Sequence, residues 1–242
     1  MSRKHLPFLV LETGKPVPGM RRHGRFPHWI RTAAGLARGE IDVVDVQSGE
    51  ALPVHRGHAG ILVTGSGAMV SDREPWSERS ADWLRDAVHD GASVFGICYG
   101  HQLLAHALGG EVADNPRGIE MGTIGLDLLD DAAGDPLFSG LPARIQAQAT
   151  HVQSVLRPPA GATVLATSPL DDCHAFRWGE SAWGVQFHPE FSAGHMRGYV
   201  AARRERLAAG GHDPDAIHAA VRAAPEARRV LRRFVRRARR HA

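Results

Sequence analysis

Short apolar runs alternate with amphipathic stretches through the first hundred residues. The runs are bounded by glycine, proline or polar positions, which is typical of buried strands. The stretches between them carry apolar residues at helical spacing, as between 74 and 90. Strand and helix in alternation predict a parallel sheet with helices on both faces. Strands are predicted at 6–12, 41–46, 60–64 and the run ending at Cys98, and helices at 28–36 and 74–90.

The second half of the chain shows a looser alternation of apolar and polar residues, which predicts antiparallel strands. These strands form either a smaller sheet or an antiparallel extension of the parallel one. Two helical segments then follow, at 193–208 and 214–240, and the second carries an apolar stripe. The antiparallel strands are predicted at 119–130, 143–149, 163–167 and 174–178.

The predicted fold class is therefore α/β, with a mostly parallel central sheet, flanking helices, a small antiparallel extension and C-terminal helices. The length of 242 residues suits one large domain with a substantial core. We expect a single domain over 1–242, with 193–242 as a C-terminal helical extension.

Cys98 stands where an apolar run turns into a helical pattern, between Gly96 and Gly100. Strand, sharp turn and helix form the context of a nucleophile elbow, and the flanking glycines relieve crowding at such a turn. A helix N-terminus favours the thiolate form of a cysteine. The alternative is that Cys98 is an inert, buried, small hydrophobic residue, which is the commoner role of a lone cysteine.

A second apolar run, Trp183 to Phe187, ends in His188, Pro189 and Glu190. In an extended chain, residues two apart project to the same face, so the imidazole and the carboxylate can lie side by side. A carboxylate in this position orients the imidazole and stabilises its charged form. A capped strand end with a solvated carboxylate is the plainer alternative. Two strand-end motifs of complementary chemistry favour one catalytic site.

These two segments, Gly96 to Gln102 and Gly184 to Glu190, resemble those of the class I glutamine amidotransferases. The closest likeness is to the glutaminase module of GMP synthase and its stand-alone relatives, over roughly residues 40–195. The resemblance implies a flavodoxin-like fold in one glutamine amidotransferase type 1 domain. It also implies a catalytic triad of Cys98, His188 and Glu190.

The resemblance further implies an oxyanion hole made of backbone amides. One donor is the N–H of Tyr99, and the other is that of Ser66 or Gly67, in a loop that by itself reads as a plain turn after a strand. For the substrate, Gln102 is the better candidate contact. His151 lies in a segment similar to one that holds the amino-acid end of the substrate in the family, although a surface histidine is an equal alternative.

Composition and charge exclude several classes of function. Two cysteines, Cys98 and Cys173, make no disulfide framework, and the sequence shows neither a zinc pattern nor a P-loop. We therefore expect no metal and no cofactor. No apolar run is long enough to span a bilayer, so we expect a cytoplasmic protein with no membrane partner.

The net charge of +3 is unevenly distributed. The segment from Val221 to the end holds nine Arg and one Glu, a net charge of +8, which leaves −5 for residues 1–220. An anionic partner such as nucleic acid is one interpretation. A docked amphipathic helix with a solvated arginine face is favoured, because no stacking platform or nucleic-acid-binding motif accompanies the charge.

The predicted activity is hydrolysis of the γ-carboxamide of glutamine through a γ-glutamyl thioester on Cys98, with release of ammonia for an unidentified acceptor. One alternative for the ammonia is a separate synthetase subunit that accepts it. Another is an independent hydrolase of γ-glutamyl peptides or conjugates without ammonia transfer. A third is a catalytically silent binding module. A homo-oligomer also remains open.

Overall fold

A computed structural model describes residues 6–242 and is built around a nine-stranded sheet. The strands of the chain are β1 Phe8–Glu12, β2 Ile41–Asp45, β3 Gly60–Val63, β4 Val94–Ile97, β5 Glu111–Asp114, β6 Glu120–Leu128, β7 Arg144–His151, β8 Gln153–Arg157, β9 Ala162–Ser168, β10 Asp171–Trp178 and β11 Ala182–Val185. The helices are α1 Phe26–Ala34, α2 Pro75–His89, α3 Tyr99–Ala107, α4 Ala193–Ala202, α5 Arg204–Ala209, α6 Pro214–Ala220 and α7 Pro225–His241.

The main sheet has the order β2-β1-β3-β4-β11-β10-β9-β6-β7. The first five strands are mutually parallel, and the last four continue the sheet with antiparallel pairing. The antiparallel strands therefore extend the parallel sheet, which was one of the two predicted arrangements. The predicted α/β fold class is confirmed.

Side chains of β1 alternate between the two faces of the sheet, as the strand geometry requires. Phe8 and Val10 pack with α1 and α7 in one core, whereas Leu9 and Leu11 pack with α2 and α3 in the other. All four side chains are fully buried. Because each face is covered by helices, the parallel strands are continuous apolar runs, which is why the sequence showed them clearly.

A two-stranded antiparallel sheet, β5 with β8, lies outside the main sheet and was not predicted. Both strands are short, and β5 is only partly buried. Their few residues carry no sustained alternation, so the pairing depends on contacts between Glu111–Asp114 and Gln153–Arg157 that are distant in sequence.

The C-terminal segments break into four helices where two were predicted. The first breaks at Arg203, between α4 and α5. The second breaks before Pro225, because a proline disfavours helical backbone in the residue that precedes it. The predicted apolar stripe of α7 is buried against the sheet and α1.

A third apolar cluster connects the loop after β1 with α1 and α4. Phe26 and Trp29 of α1 pack with Phe191 and Tyr199, and Met196 is fully buried among them. This cluster lies directly behind the segment that carries His188 and Glu190. Within residues 6–242, no helix has the length and apolar character that crossing a bilayer requires.

Candidate active site

The turn between β4 and α3 places Cys98 in a backbone conformation that L-residues rarely adopt, with φ 52° and ψ −103°. Strain of this kind clusters at functional sites, where the surrounding structure maintains it. A Cβ on Gly96 would lie 2.3 Å from the carbonyl oxygen of Gly100, and one on Gly100 would lie 2.5 Å from that of Val63. The two glycines therefore permit the close approach of α3 to the strands.

His188 and Glu190 lie in the segment after β11, which ends at Val185. The expectation of a strand continuing to the His-Pro-Glu sequence is wrong by three residues, but the two side chains do meet. His188 Nδ1 is 2.8 Å from Glu190 Oε1, and both side chains are buried. The backbone N–H of His188 donates to the carbonyl of Gln148 at 2.8 Å, which anchors the segment to β7.

The imidazole and the thiol are neighbours across the end of the sheet. A Cβ built on Gly65 would lie 3.0 Å from His188 Cε1 and 3.8 Å from Cys98 Cβ. Because Nδ1 is engaged by Glu190, Nε2 is the nitrogen left for the thiol. It is buried and has no hydrogen-bond partner among the described residues, while the thiol lies 3.9 Å from the carbonyl oxygen of Thr150.

The charges of the three side chains shift the pKa values of two of them. Burial alone would raise the pKa of the Cys98 thiol, but the charge of His188, its polar interaction with the sulfur and the charge of His151 together outweigh burial, and the pKa is lowered. Burial alone would lower the pKa of His188, but the negative charges of Glu190 and then Cys98 raise it to about 10. Both shifts act in the direction of a thiolate beside an imidazolium.

Cys173 provides a contrast within the same chain. It is as buried as Cys98, and burial followed by the charge of Asp171 raises the pKa of its thiol strongly. No imidazolium compensates that burial. Cys173 therefore behaves as a buried apolar residue, whereas Cys98 is activated.

A cavity of about 200 Å³ opens beside Cys98 and His188. Its wall includes three cationic side chains, Lys15, Arg21 and Arg203. A second, smaller pocket of about 50 Å³ reaches Cys98 from the side of α3. The thiol is thus buried but accessible to a small substrate, and the cationic wall favours a substrate with negative charge.

Backbone N–H groups surround the thiol on two sides. Ser66 and Gly67 line both cavities with Cys98, and Tyr99 follows it as the first residue of α3. Among the described residues, no acceptor takes the N–H of Ser66, Gly67 or Tyr99. Unpaired N–H groups next to a nucleophile are what stabilisation of an oxyanion requires.

Gln102 lies in the smaller pocket, one turn along α3 from Cys98. Its side-chain amide donates to the carbonyl of Gln153 at 2.7 Å and to Gln186 Oε1 at 2.9 Å. The amide nitrogen is therefore held by the protein, so a substrate would meet the oxygen.

His151 lines the same pocket, but both of its ring nitrogens are bonded within the protein. Nδ1 is 2.9 Å from the carbonyl oxygen of Gln153, and Nε2 is 3.0 Å from Glu120 Oε2. Both partners are acceptors, so the ring is held as an imidazolium. Burial opposes this charge, but the bond to Glu120 raises the pKa of His151.

Glu120 was missed by sequence reasoning. Its Oε2 also accepts from His174 Nε2 at 2.7 Å, and its Oε1 accepts from Ser168 at 2.7 Å. Burial would raise the pKa of Glu120, but the bonds from His151 and His174 hold it well below its usual range. By residue type Glu120, His151 and His174 could hold a metal ion, although sequence reasoning predicted no metal. Their candidate ligand atoms lie within 4.8 Å of one another, and Glu120 Oε2 is hydrogen-bonded to both histidines.

Arg203 was also missed, because no local pattern separates it from the many other arginines. It lies at the break between α4 and α5, and its Nη1 donates to Thr150 Oγ1 at 2.6 Å. It lines both cavities with Cys98. Only the tertiary fold brings it to the nucleophile, 105 positions away in sequence.

Curated relatives match part of the chain. GMP synthase (glutamine-hydrolyzing) from Aeropyrum pernix is 41% identical over 59% of this chain and 25% of its own length. A gamma-glutamyl-L-1-hydroxyisopropylamide hydrolase from Pseudomonas is 32% identical over 58% of this chain and 50% of its own length. One subunit of GMP synthase (glutamine-hydrolyzing) from Methanothermobacter thermautotrophicus is 30% identical over 71% of this chain and 86% of its own length. The alignments thus span a quarter to a half of the first two relatives.

Solved structures and a family model agree with these matches. A glutamine amidotransferase from Thermotoga maritima superposes with a TM-score of 0.75 over 97% of this chain and 99% of its own, at 21% sequence identity, which supports the fold. The family model described as glutamine amidotransferase class-I matches residues 24–204. The chain therefore belongs to the class I glutamine amidotransferases.

Proposed function

We propose that the chain hydrolyses the γ-amide of a γ-glutamyl compound, most simply glutamine, with Cys98 as nucleophile, His188 as acid and base, and Glu190 as its orienting partner. The observation that carries the proposal is the juxtaposition of the three side chains at the edge of a cavity. Cys98 sits at a strained turn and a helix N-terminus, and the buried imidazole beside it is bonded to Glu190 at 2.8 Å.

The first half of the reaction forms a thioester. The Cys98 thiolate adds to the γ-carbonyl carbon, and the carbonyl electrons move to the oxygen. When the tetrahedral intermediate collapses, the C–N bond breaks and the imidazolium of His188 gives its proton to the departing nitrogen. Ammonia leaves from glutamine, or an amine from a conjugate, and His188 is left neutral.

The second half consumes water. His188 takes a proton from a water molecule, whose oxygen adds to the thioester carbon. The C–S bond then breaks, which returns the Cys98 thiolate beside the His188 imidazolium and releases glutamate. Glu190 stabilises the imidazolium in both halves without itself accepting the proton.

Backbone amides at the turn supply the oxyanion hole in this proposal. The donors would be the N–H of Tyr99 and that of Ser66 or Gly67, which have no acceptor among the described residues. Loss of one such donor typically costs about 3–4 kcal/mol of transition-state stabilisation.

Substrate orientation is proposed to rest on Arg203 and Gln102. No carboxylate of the described residues pairs with Arg203, so its guanidinium is left to bind the α-carboxylate of a γ-glutamyl group. Gln102 Oε1 would accept from the α-ammonium. His151 would contribute positive charge to the site, since its nitrogens are already bonded.

The fate of the ammonia separates two candidate functions. The relatives named as GMP synthase, of which one is a single subunit of that enzyme, favour delivery to a separate synthetase. The relative named as a γ-glutamylamide hydrolase favours independent hydrolysis of a conjugate.

The test measures glutamate release when the purified chain is incubated with glutamine and with a panel of γ-glutamyl peptides and amides. Turnover of a conjugate faster than glutamine supports the independent hydrolase. Turnover of glutamine supports the glutaminase. If nothing is turned over, a thiol-reactive glutamine analogue decides: labelling of Cys98 keeps a partner-dependent enzyme, and absence of labelling contradicts the proposed function.

A further inference from the structure

We propose that an arginine-lined cavity between α7 and the start of α4 binds a small organic anion carrying two or more phosphate groups, and that its occupancy is sensed at His188. The cavity measures about 610 Å³, within the range of small-molecule sites. It is separate from the two pockets at Cys98 and shares no lining residue with them.

Four arginines of α7 form one wall of this cavity. Arg228, Arg232 and Arg236 stand four residues apart, so they project from one face of the helix on successive turns, and Arg229 adjoins them. Ser192 and Ala193 face them at the N-terminus of α4. The sequence favoured a solvated arginine face here, but this part of the face lines a concave space.

The positive charge of the wall is not compensated by the protein. Within residues 6–242, no carboxylate lies at ion-pair distance from Arg228, Arg229, Arg232 or Arg236, whereas Arg239 on the same helix pairs with Glu40. Arg232 is held by an uncharged partner, because its Nε donates to the backbone carbonyl of Ala33 at 2.9 Å.

The surroundings add to the positive charge. Arg233 lies on the same helix, and burial, followed by the charges of Arg229 and Arg236, lowers the pKa of its guanidinium. Burial lowers the pKa of His195, and the charge of Arg228 lowers it further against the opposing charge of Glu190. Mutual repulsion in this region is relieved by a bound anion.

Phosphate is the anion that the wall suits best. A planar guanidinium presents donors in a fork that matches two phosphate oxygens, and several forks on one helix face can engage several phosphates. Alanine and proline side chains from 223–225 provide an apolar edge for the organic part of the ligand. A concave wall favours a small molecule over an extended nucleic acid.

One direct contact and one chain of hydrogen bonds, which ends at Arg222 next to the lining residue Ala223, connect the cavity to His188. Phe191 lines the cavity, and its ring stacks on the His188 imidazole with centroids 4.2 Å apart. On the other side, Gln148 Nε2 donates to the carbonyl of Arg222 at 2.7 Å, while the carbonyl of Gln148 accepts from His188 N. A ligand that moves the start of α7 or Phe191 therefore acts on the imidazole.

Inorganic tripolyphosphate is the probe for the binding test, at constant ionic strength and by calorimetry on the full chain. We compare wild type with R228Q/R236Q, which removes two arginines of the wall, and with R38Q/R240Q, which removes equal charge at exposed sites outside it. The expected result is a dissociation constant weakened about tenfold or more in R228Q/R236Q, as loss of charge-assisted hydrogen bonds implies, and little changed in R38Q/R240Q.

Equal affinity in all three proteins, or no binding at all, would overturn the site, as would preference for a single-stranded oligonucleotide over tripolyphosphate.

Coupling between the cavity and His188 is measured by the rate at which iodoacetamide alkylates Cys98 with and without saturating tripolyphosphate, a readout that needs no turnover. A changed rate in wild type but not in R228Q/R236Q supports the connection to His188. An unchanged rate at saturation contradicts it.

Discussion

Replacing His188 by asparagine should reverse the direction in which the pKa of Cys98 is shifted. In the wild-type chain burial raises the pKa of the thiol, but the charge and polar interaction of His188, with the charge of His151, outweigh it and lower the pKa. Asparagine keeps a polar side chain of similar size but carries no charge. Burial and the charge of Glu190 then outweigh the smaller effect of His151, and the pKa of Cys98 rises above its ordinary value, as burial raises that of Cys173.

The size of the effect follows from the charges around His188. Burial opposes its protonation, yet its pKa rises from 6.5 to about 10, which corresponds to about 5 kcal/mol in favour of the imidazolium. The negative charges of Glu190 and Cys98 are the main causes of this rise. By reciprocity, the imidazolium stabilises the thiolate, so the substitution should reduce the thiolate population at neutral pH.

The assay is the rate of iodoacetamide alkylation as a function of pH, with peptide mass mapping to separate Cys98 from Cys173. H106N is the matched control, because His106 lies on α3 but contacts Glu78 and Arg73 on the surface. Wild type and H106N should alkylate at Cys98 with a midpoint below that of an ordinary thiol, and H188N with a midpoint above it. A wild-type midpoint in H188N, or alkylation of Cys173 as fast as of Cys98, would refute the reasoning.

Three further outcomes are expected. Gly96→Ala should lower the melting temperature and the alkylation rate of Cys98, because the added Cβ would lie 2.3 Å from a backbone carbonyl oxygen. The control is Gly39→Ala, which has open space around it and should change stability by less than about 0.5 kcal/mol. Equal melting temperatures for the two variants would contradict this. Glu120→Gln should destabilise the fold by about 3–5 kcal/mol in denaturant titrations near pH 7, since it leaves two buried histidines without their anion. The pKa of Glu120 is lowered in the folded state, so its contribution to the free energy of unfolding is complete above pH 4.5 and is lost as the pH falls below that value. The stability of Glu120→Gln should therefore vary less with pH in this acid range than that of the wild type. Parallel plots of stability against pH for the two proteins would count against the ion pair. Arg203→Met should raise the KM for glutamine more than it lowers kcat, with partial rescue by Arg203→Lys, and an unchanged KM would exclude Arg203 from substrate binding.

The parts of the fold that the sequence revealed are those with local causes. Buried parallel strands appear as apolar runs, and the glycines around Cys98 mark a turn that only a small residue allows. The predicted strand boundaries differ from the observed ones by one to three residues in most cases, as with the strand predicted at 60–64 and observed at Gly60–Val63. The pairing of His188 with Glu190 was also foreseen, because two residues apart is a short-range relation.

The parts that the sequence concealed depend on contacts distant along the chain. Glu120 and His174 meet His151 only because β6, β7 and β10 bring them together from separate strands. Arg203 reaches the nucleophile only because α4 ends there. The sequence correctly predicted that α7 is an amphipathic helix with an arginine face. Whether that face contacts solvent or lines a cavity depends on the position of α4, which the sequence does not show. The catalytic roles proposed for Cys98 and its neighbours remain predictions.

The measurement that tests the central claim most directly is glutamate release by wild type and by Cys98→Ala, each assayed on the γ-glutamyl compound that wild type turns over fastest. Circular dichroism and thermal melting establish that both proteins are folded. The account predicts measurable release by wild type and none above background by the variant, because the remaining thiol, Cys173, is buried with a raised pKa. Release by folded Cys98→Ala at the wild-type rate would contradict covalent catalysis at this cysteine.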